Sequence, residues 1–321
     1  MVIDMHTHYV PEVIAKKASG GRGVSSEGGV PTQTMHDKLF RLDLRIQAMD
    51  EAGVDVAVLS APAATKLSLD DYRLLNDKMK EAEQSYSGRI YSLASVPALG
   101  GPEALAELRR CARELGFRGV CIESSVQGTP LDSRDLYPFY ETVRELGLFI
   151  FIHPALRALG SEFMAEYDIA RMVGREFGLV LATIRLIVGG VFDDFPGLRV
   201  NMSHLGGGIT LMLERVRGMM NRSFWGTEND PVQGKVPKRP FDEYMREMYF
   251  DTGGFSGSMK AVQAALIELS PQQVTFGTDY PQEIRTGEKK GRFVWDLREM
   301  GLPAHDCEDV LWRNASRLLG I

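Results

Sequence analysis

Eight short apolar runs rich in β-branched residues recur along the chain, at residues 2–8, 54–62, 90–97, 119–125, 148–155, 199–205, 248–254 and 274–281. Such runs read as strands buried on both faces. The stretches between them are amphipathic and carry helix punctuation: Asp70 begins DDYRLLNDKMKEAEQSY, and Gly101-Pro102 opens a helical pattern that Gly116 stops. Strand signals alternating with helix signals from first residue to last predict an α/β fold, a closed (β/α)8 barrel of the TIM type. No Pro/Gly/Ser-rich linker or sequence repeat divides the alternation, so the 321 residues are expected to form one domain, 1–321.

Two stretches interrupt the rhythm. Residues 9–38 include SGGRGVSSEGG and residues 223–243 include WGTENDPVQGKVPKRP. Both read as polar Gly/Pro-rich loops, placed to cover the barrel mouth, to touch another subunit, or simply to run over the surface.

Where the strands end matters more than how many there are. His6 and His8 stand two apart on the first strand, so both point to one side near its C-terminal end. His153 ends the fifth run, His204 lies at the end of the sixth and Asp279 at the end of the eighth. The C-terminal face is where barrel enzymes build active sites. Any one of these residues alone is more simply a hydrogen-bonded structural group. Together, several imidazoles in one pocket repel when protonated and waste hydrogen-bonding capacity when neutral, whereas a cation satisfies them all.

The expected ligands are therefore His6, His8, His153 and Asp279, around one divalent ion. Three imidazoles and a carboxylate suit zinc with an open position, although manganese, iron or cobalt fit the same donors. Glu123 lies on the fourth run, which has no lysine to bridge a second metal. His204 reads first as a general acid/base, with a fifth ligand or a structural group as alternatives, and Asp279 is a candidate for proton handling as well.

Composition excludes other classes. Hydrophobic residues make up 44% and charged residues 25%, enough for a large core. The net charge of -6 with no long run of either sign argues against nucleic acid or an anionic membrane as partner, and for a small molecule. No stretch is apolar enough to span a bilayer, and the N-terminus lacks a signal-peptide pattern. Three widely spaced cysteines, Cys111, Cys121 and Cys307, fit free thiols in a cytoplasmic protein.

At these residues the chain resembles the amidohydrolase-related family that contains 2-amino-3-carboxymuconate 6-semialdehyde decarboxylase. The matching pieces are IDMHTHYVP, RIQAMDEAGVDVAVLS, LGFRGVCIES, FIHPA, VGGVFDDFPGLRVNMSHLGGG, MYFDTGG and FGTDYP, in the family's order. The resemblance implies metal binding by His6, His8, His153 and Asp279, and an acid/base role for His204. It further implies carboxylate binding by Arg45 and by Arg215, the latter across the interface of a homodimer. A planar guanidinium suits that task. From the residues alone Arg45 reads equally as a solvated helix residue, Arg215 as a surface one, and Arg217 and Arg222 are neighbouring competitors. The His-x-His first strand is similar to the aminocarboxymuconate type, while HPALRALG departs from the aromatic residue expected after the His-Pro pair.

The implied reaction is non-oxidative decarboxylation of a small unsaturated or aromatic carboxylic acid. The alternative is hydrolysis or hydration of a lactone, amide or enol acid by hydroxide on the metal, with Asp279 or His204 as base. A third reading makes the metal a structural staple in a binding protein.

Overall fold

The computed structural model describes residues 1–19, 23–27, 30–61, 67–157, 160, 163–220 and 237–321. Eight barrel strands follow the predicted order: β1 Ile3–His8, β2 Val56–Ser60, β3 in two pieces (Ile90–Ser92 and Ala94–Ser95), β4 Gly119–Glu123, β5 Phe149–His153, β6 Arg199–Met202, β7 Tyr249–Asp251 and β8 Val274–Thr275. Every neighbouring pair is parallel. The ring closes where Met5 N–H donates to the Phe276 carbonyl at 2.8 Å and His8 N–H to that of Tyr280 at 2.7 Å. The predicted runs are longer than the strands because each also contains the first residues of the loop at the mouth.

The barrel is filled rather than hollow. Ile3, Met5, Val56, Val58, Leu93, Cys121, Phe149 and Phe151 pack inside it with Ala315, Leu318 and Leu319 of the C-terminal helix Asn314–Leu319. A larger apolar layer joins the outer faces of the strands to the helices. Burial of this kind, worth roughly 25 cal/mol per Å² of apolar surface, drives the closure.

Strand β1 carries a register shift. Asp4 pairs with Ala57 and Thr7 with Leu59, so Met5 and His6 together face a single position of β2. Alternation therefore resets, which lets Ile3 and Met5 fill the interior while His6 and His8 still face the mouth. Asp4 points outward into a buried pocket, where Lys290 Nζ at 2.8 Å, the Thr278 hydroxyl at 2.6 Å and the Thr278 N–H at 3.0 Å satisfy it. Lys290 comes from the helix Gly287–Arg298 and also lies 4.4 Å from the Tyr280 ring centre. This buried ion pair ties β1 to that helix, and the Thr278 hydrogen bonds tie it to the segment that carries Asp279.

Residues 9–38 are not the irregular loop expected from their Gly content. They contain the helix Glu12–Ser19 and an antiparallel hairpin of Gly23–Glu27 with Val30–Met35. Polar composition masked a hairpin whose strands gain stability by pairing with each other. The hairpin packs on the segment Ala170–Gly174, and the Thr34 carbonyl accepts from Gln282 Nε2 at 3.0 Å, so it lies at the mouth. Of the second predicted loop, 223–243, only residues 237–243 are among the described residues, and they lead into the helix Phe241–Met245. No helix among the described residues is long and apolar enough to cross a membrane.

Candidate metal centre and active site

Tertiary structure brings His6, His8, His153 and Asp279 together at the barrel mouth. All four are buried, and one donor atom from each lies within 4.8 Å of the others. His6 Nε2 and His8 Nε2 stand 3.2 Å apart. Asp279 Oδ1 is 2.7 Å from His8 Nε2 and 3.6 Å from His6 Nε2. The His6 ring rests edge-on against Phe151, which floors the site with apolar surface.

Each imidazole is held by its other nitrogen. His6 Nδ1 lies 3.1 Å from both Asp251 carboxylate oxygens, and His153 Nδ1 lies 2.8 Å from the Pro154 carbonyl. These partners only accept, so both Nδ1 atoms carry the proton and both Nε2 atoms are bare lone pairs. His8 Nδ1 meets Ser60 Oγ at 2.9 Å; that hydroxyl donates to the Thr7 carbonyl, which leaves its oxygen to accept from His8. Three lone pairs and a carboxylate oxygen thus converge in a buried pocket. Such an arrangement repels itself unless a cation stands at its centre, so the donors fit a divalent metal ion.

The electrostatics agree. Burial pushes His8 below its ordinary range, despite the opposing pull of Asp279. Burial, then repulsion from His8, His6 and His204, pushes His153 lower still. Both are neutral and ready to ligate. Burial would raise Asp279, but its interactions with the neighbouring His8, His6 and His204 outweigh it and keep the carboxylate ionised.

His204 stands beside this cluster, its ring stacked at 5.2 Å on that of His6. Nδ1 lies 2.8 Å from Glu176 Oε1, whereas Nε2 is buried without a hydrogen-bond partner, 3.8 Å from Asp279 Oδ2. Burial disfavours the imidazolium, yet Glu176, Asp279 and Asp251 together raise its pKa to about 9 in the chain without a cation. A metal ion in the cluster acts in the opposite sense, toward the ordinary histidine range.

The backbone that aims these groups is strained. His204, Leu205 and Asp279 have φ of 53°, 50° and 50°, a region that side chains with a Cβ rarely adopt. Gly254 is required by close approach: a Cβ there would fall 2.1 Å from Cγ of His204. Strand β7 therefore supplies Asp251 behind His6, and the loop that follows it supplies a bare backbone at Gly254 beneath His204.

The two arginines implied by the resemblance are placed differently. Arg45, on the helix Leu42–Ala52, is fully buried rather than solvated. Its Nη2 donates to the His8 carbonyl and its guanidinium lies 4.9 Å from the Tyr280 ring centre, while Nε and Nη1 have no hydrogen bond. Burial lowers its pKa to about 10. Arg215 is exposed on the helix Leu213–Met220 and does not join the cluster within one chain. Its neighbour Arg217 is occupied by Glu214, Asp242 and Glu268. Arg222 lies outside the described residues.

Sequence reasoning passed over Asp251, Ser60 and Glu176. Asp251 left a signal, a carboxylate near the end of the seventh apolar run. Glu176 left none, because it opens the helix Arg175–Val188 and only the fold carries it to His204.

The comparisons with known proteins follow the same lines. The 2-amino-3-carboxymuconate-6-semialdehyde decarboxylase of Dictyostelium discoideum is 30% identical over 99% of this chain and 91% of its own length. The gamma-resorcylate decarboxylase of Rhodococcus jostii (strain RHA1) is 30% identical over 80% of this chain and 84% of its own. Among solved structures, a dihydroxybenzoic acid decarboxylase from Polaromonas sp. JS666, with bound manganese and the inhibitor 2-nitroresorcinol, superimposes with a TM-score of 0.80. It is 22% identical and the match covers 99% of this chain and 96% of that one. The family described as amidohydrolase matches residues 3–321, and the chain belongs to it.

Proposed function

We propose that the chain is a metal-dependent carboxy-lyase that removes CO2 from a small unsaturated or aromatic carboxylic acid without an oxidant. The observation that carries this reading is His204 Nε2, buried, unpartnered and turned to the same space as the four converging donors. Relatives that are decarboxylases by name support the same choice.

His6, His8, His153 and Asp279 would hold one ion, which when bound supplies a Lewis acid for a substrate oxygen. Zinc is the ion we favour for three imidazoles and a carboxylate, and the manganese of a structural neighbour makes manganese its competitor. Elemental analysis of protein purified without added metal decides between them.

Decarboxylation leaves the bonding pair of the C–CO2 bond on carbon, and that carbon must take a proton. Glu176 fixes the Nδ1 proton of His204, so Nε2 faces the reacting carbon and delivers its proton there. Water restores that proton at the end of the turnover. Asp279, held ionised, keeps the proton from wandering onto the carboxylate. The floor of Phe151 and the buried imidazoles exclude water from the forming carbanion.

Arg45 we assign to substrate carboxylate binding, through the two nitrogens that have no hydrogen bond. Replacing it with methionine should raise KM more than it lowers kcat. Arg215 we assign to the same task from a second copy in a homodimer. Support comes from an exposed apolar face beside it: Leu211 (80% exposed), Met212, Phe177 and Leu181, on two segments that pack together. We place the chain, a single domain with free Cys111, Cys121 and Cys307, in the cytoplasm.

The test is CO2 release from a panel of hydroxybenzoates and unsaturated acids. A His204→Asn protein should keep its metal and lose roughly 10²-fold or more in kcat. Full turnover by that variant sinks the proton-donor role, and product formation without CO2 makes the enzyme a hydrolase or hydratase instead.

A further inference from the structure

Strand β7 has β6 on one side and β8 on the other, and β8 closes the ring onto β1. Its last residue, Asp251, therefore stands between His204, which follows β6, and His6 on β1. The carboxylate is fully buried, and the Thr252 N–H next to it donates to the Thr275 carbonyl at 3.1 Å, so the backbone that carries it is fixed in the barrel. Its two oxygens are used unequally. Oδ1 accepts from the Gly253 N–H at 2.8 Å and from the His204 N–H at 3.2 Å, and lies 3.1 Å from His6 Nδ1. Oδ2 has His6 Nδ1, also at 3.1 Å, as its partner among the described residues.

We infer that Asp251 is a positioning residue with two separable tasks: it keeps the proton of His6 on Nδ1, which leaves Nε2 to ligate, and it holds the backbone of His204, so that one carboxylate sets the metal ligand and the proton donor against each other. The inference rests on the carboxy-lyase reading only where turnover is measured.

The second task follows from strain. His204 and Leu205 have φ of 53° and 50°, a conformation that persists only where the surroundings hold it. Glu176 holds the His204 ring, whereas Asp251 acts on the backbone itself, through a bond strengthened by the charge of its acceptor. A small rotation at that backbone would swing Nε2 away from the space it shares with Asp279, and proton delivery is sensitive to displacements of that size.

An amide in place of the carboxylate separates the tasks. The two backbone N–H groups at Oδ1 can only donate, so the oxygen of an asparagine must stay there and its NH2 takes the place of Oδ2. That NH2 points at His6 Nδ1. An imidazole can change tautomer where a backbone amide cannot, so Nδ1 gives up its proton and accepts, and Nε2 gains a proton that bars it from ligating until a metal ion displaces it. Alanine removes both tasks at once.

The experiment compares wild type, Asp251→Asn and Asp251→Ala, with Asp251→Ser in place of alanine if that chain does not fold. Nitrogen-15 spectra of the histidine-labelled full chain, before metal is added, read His6 Nδ1. Hydrogen exchange reads the His204 amide, competition with a chromophoric chelator reads the affinity for zinc, and kcat is measured at saturating zinc. Asp251→Asn should turn His6 Nδ1 from protonated to bare and weaken zinc binding at least about tenfold. Its His204 amide should stay protected, and its kcat should return to within a few-fold of wild type once zinc saturates. Asp251→Ala should weaken zinc binding as well, but its His204 amide should exchange at least about tenfold faster and its kcat stay at least about tenfold low at saturating zinc. A protonated Nδ1 in Asp251→Asn, or a His204 amide that exchanges alike in wild type and in the alanine or serine variant, overturns the inference. Nitrogen, exchange and zinc results as expected, with no CO2 from any candidate acid, leave both tasks standing and sink the carboxy-lyase reading instead.

Discussion

At the scale of the residue, the site depends on what stands behind each histidine. His204 is the clearest case, since its charge in the metal-free chain depends on Glu176. Its pKa is raised to about 9 from 6.5, so the folded protein binds the proton more tightly than the unfolded chain does. The resulting stability is fully present below pH 6.5 and lost as pH rises through about 9. In metal-free protein, the gap in Tm between wild type and His204→Asn should therefore shrink over that window. A gap that stays constant would mean Glu176 does not charge the ring. Gly254→Ala is a second test at this scale. Its Cβ has no room beside His204, and its φ of 78° already disfavours a side chain, so a loss of about 2 kcal/mol or more is expected together with loss of turnover.

At the scale of the element, β1 depends on the helix Gly287–Arg298. Asp4 and Lys290 are both fully buried, and their pair joins the strand that carries His6 and His8 to that helix, while Thr278, beside Asp279, donates to the same carboxylate. Removing one partner strands a charge in apolar surroundings. Lys290→Met should cost about 3–5 kcal/mol by denaturant unfolding, and Asp4→Asn added to it should return part of that loss. Additive losses would show that the two side chains are not coupled. The eight strands were legible because a parallel barrel buries both faces of each strand, and that requirement writes itself into the sequence as uninterrupted apolar runs. The hairpin at 23–35 was not, because two strands paired only with each other need no apolar pattern.

At the scale of the molecule, metal and self-association should be separable. The barrel interior is packed by its own side chains, so chelation should abolish activity while far-ultraviolet circular dichroism stays native. Unfolding on chelation would make the ion a structural staple. The proposed homodimer requires the exposed apolar face, and Leu211→Asp should yield a monomer by sedimentation, with loss of activity if Arg215 serves the partner's site. A wild-type monomer would remove Arg215 from the reaction.

The sequence by itself determined the barrel and named the four converging donors together with His204. Strand ends and periodicity are local properties, and the fold places all strand ends of one direction at one face. Tertiary structure alone decided the rest: that Arg45 is buried behind His8, and that Asp251 and Glu176 hold His6 and His204. Such relations join residues from different elements, and the distance between two elements is set by packing, which no local pattern encodes.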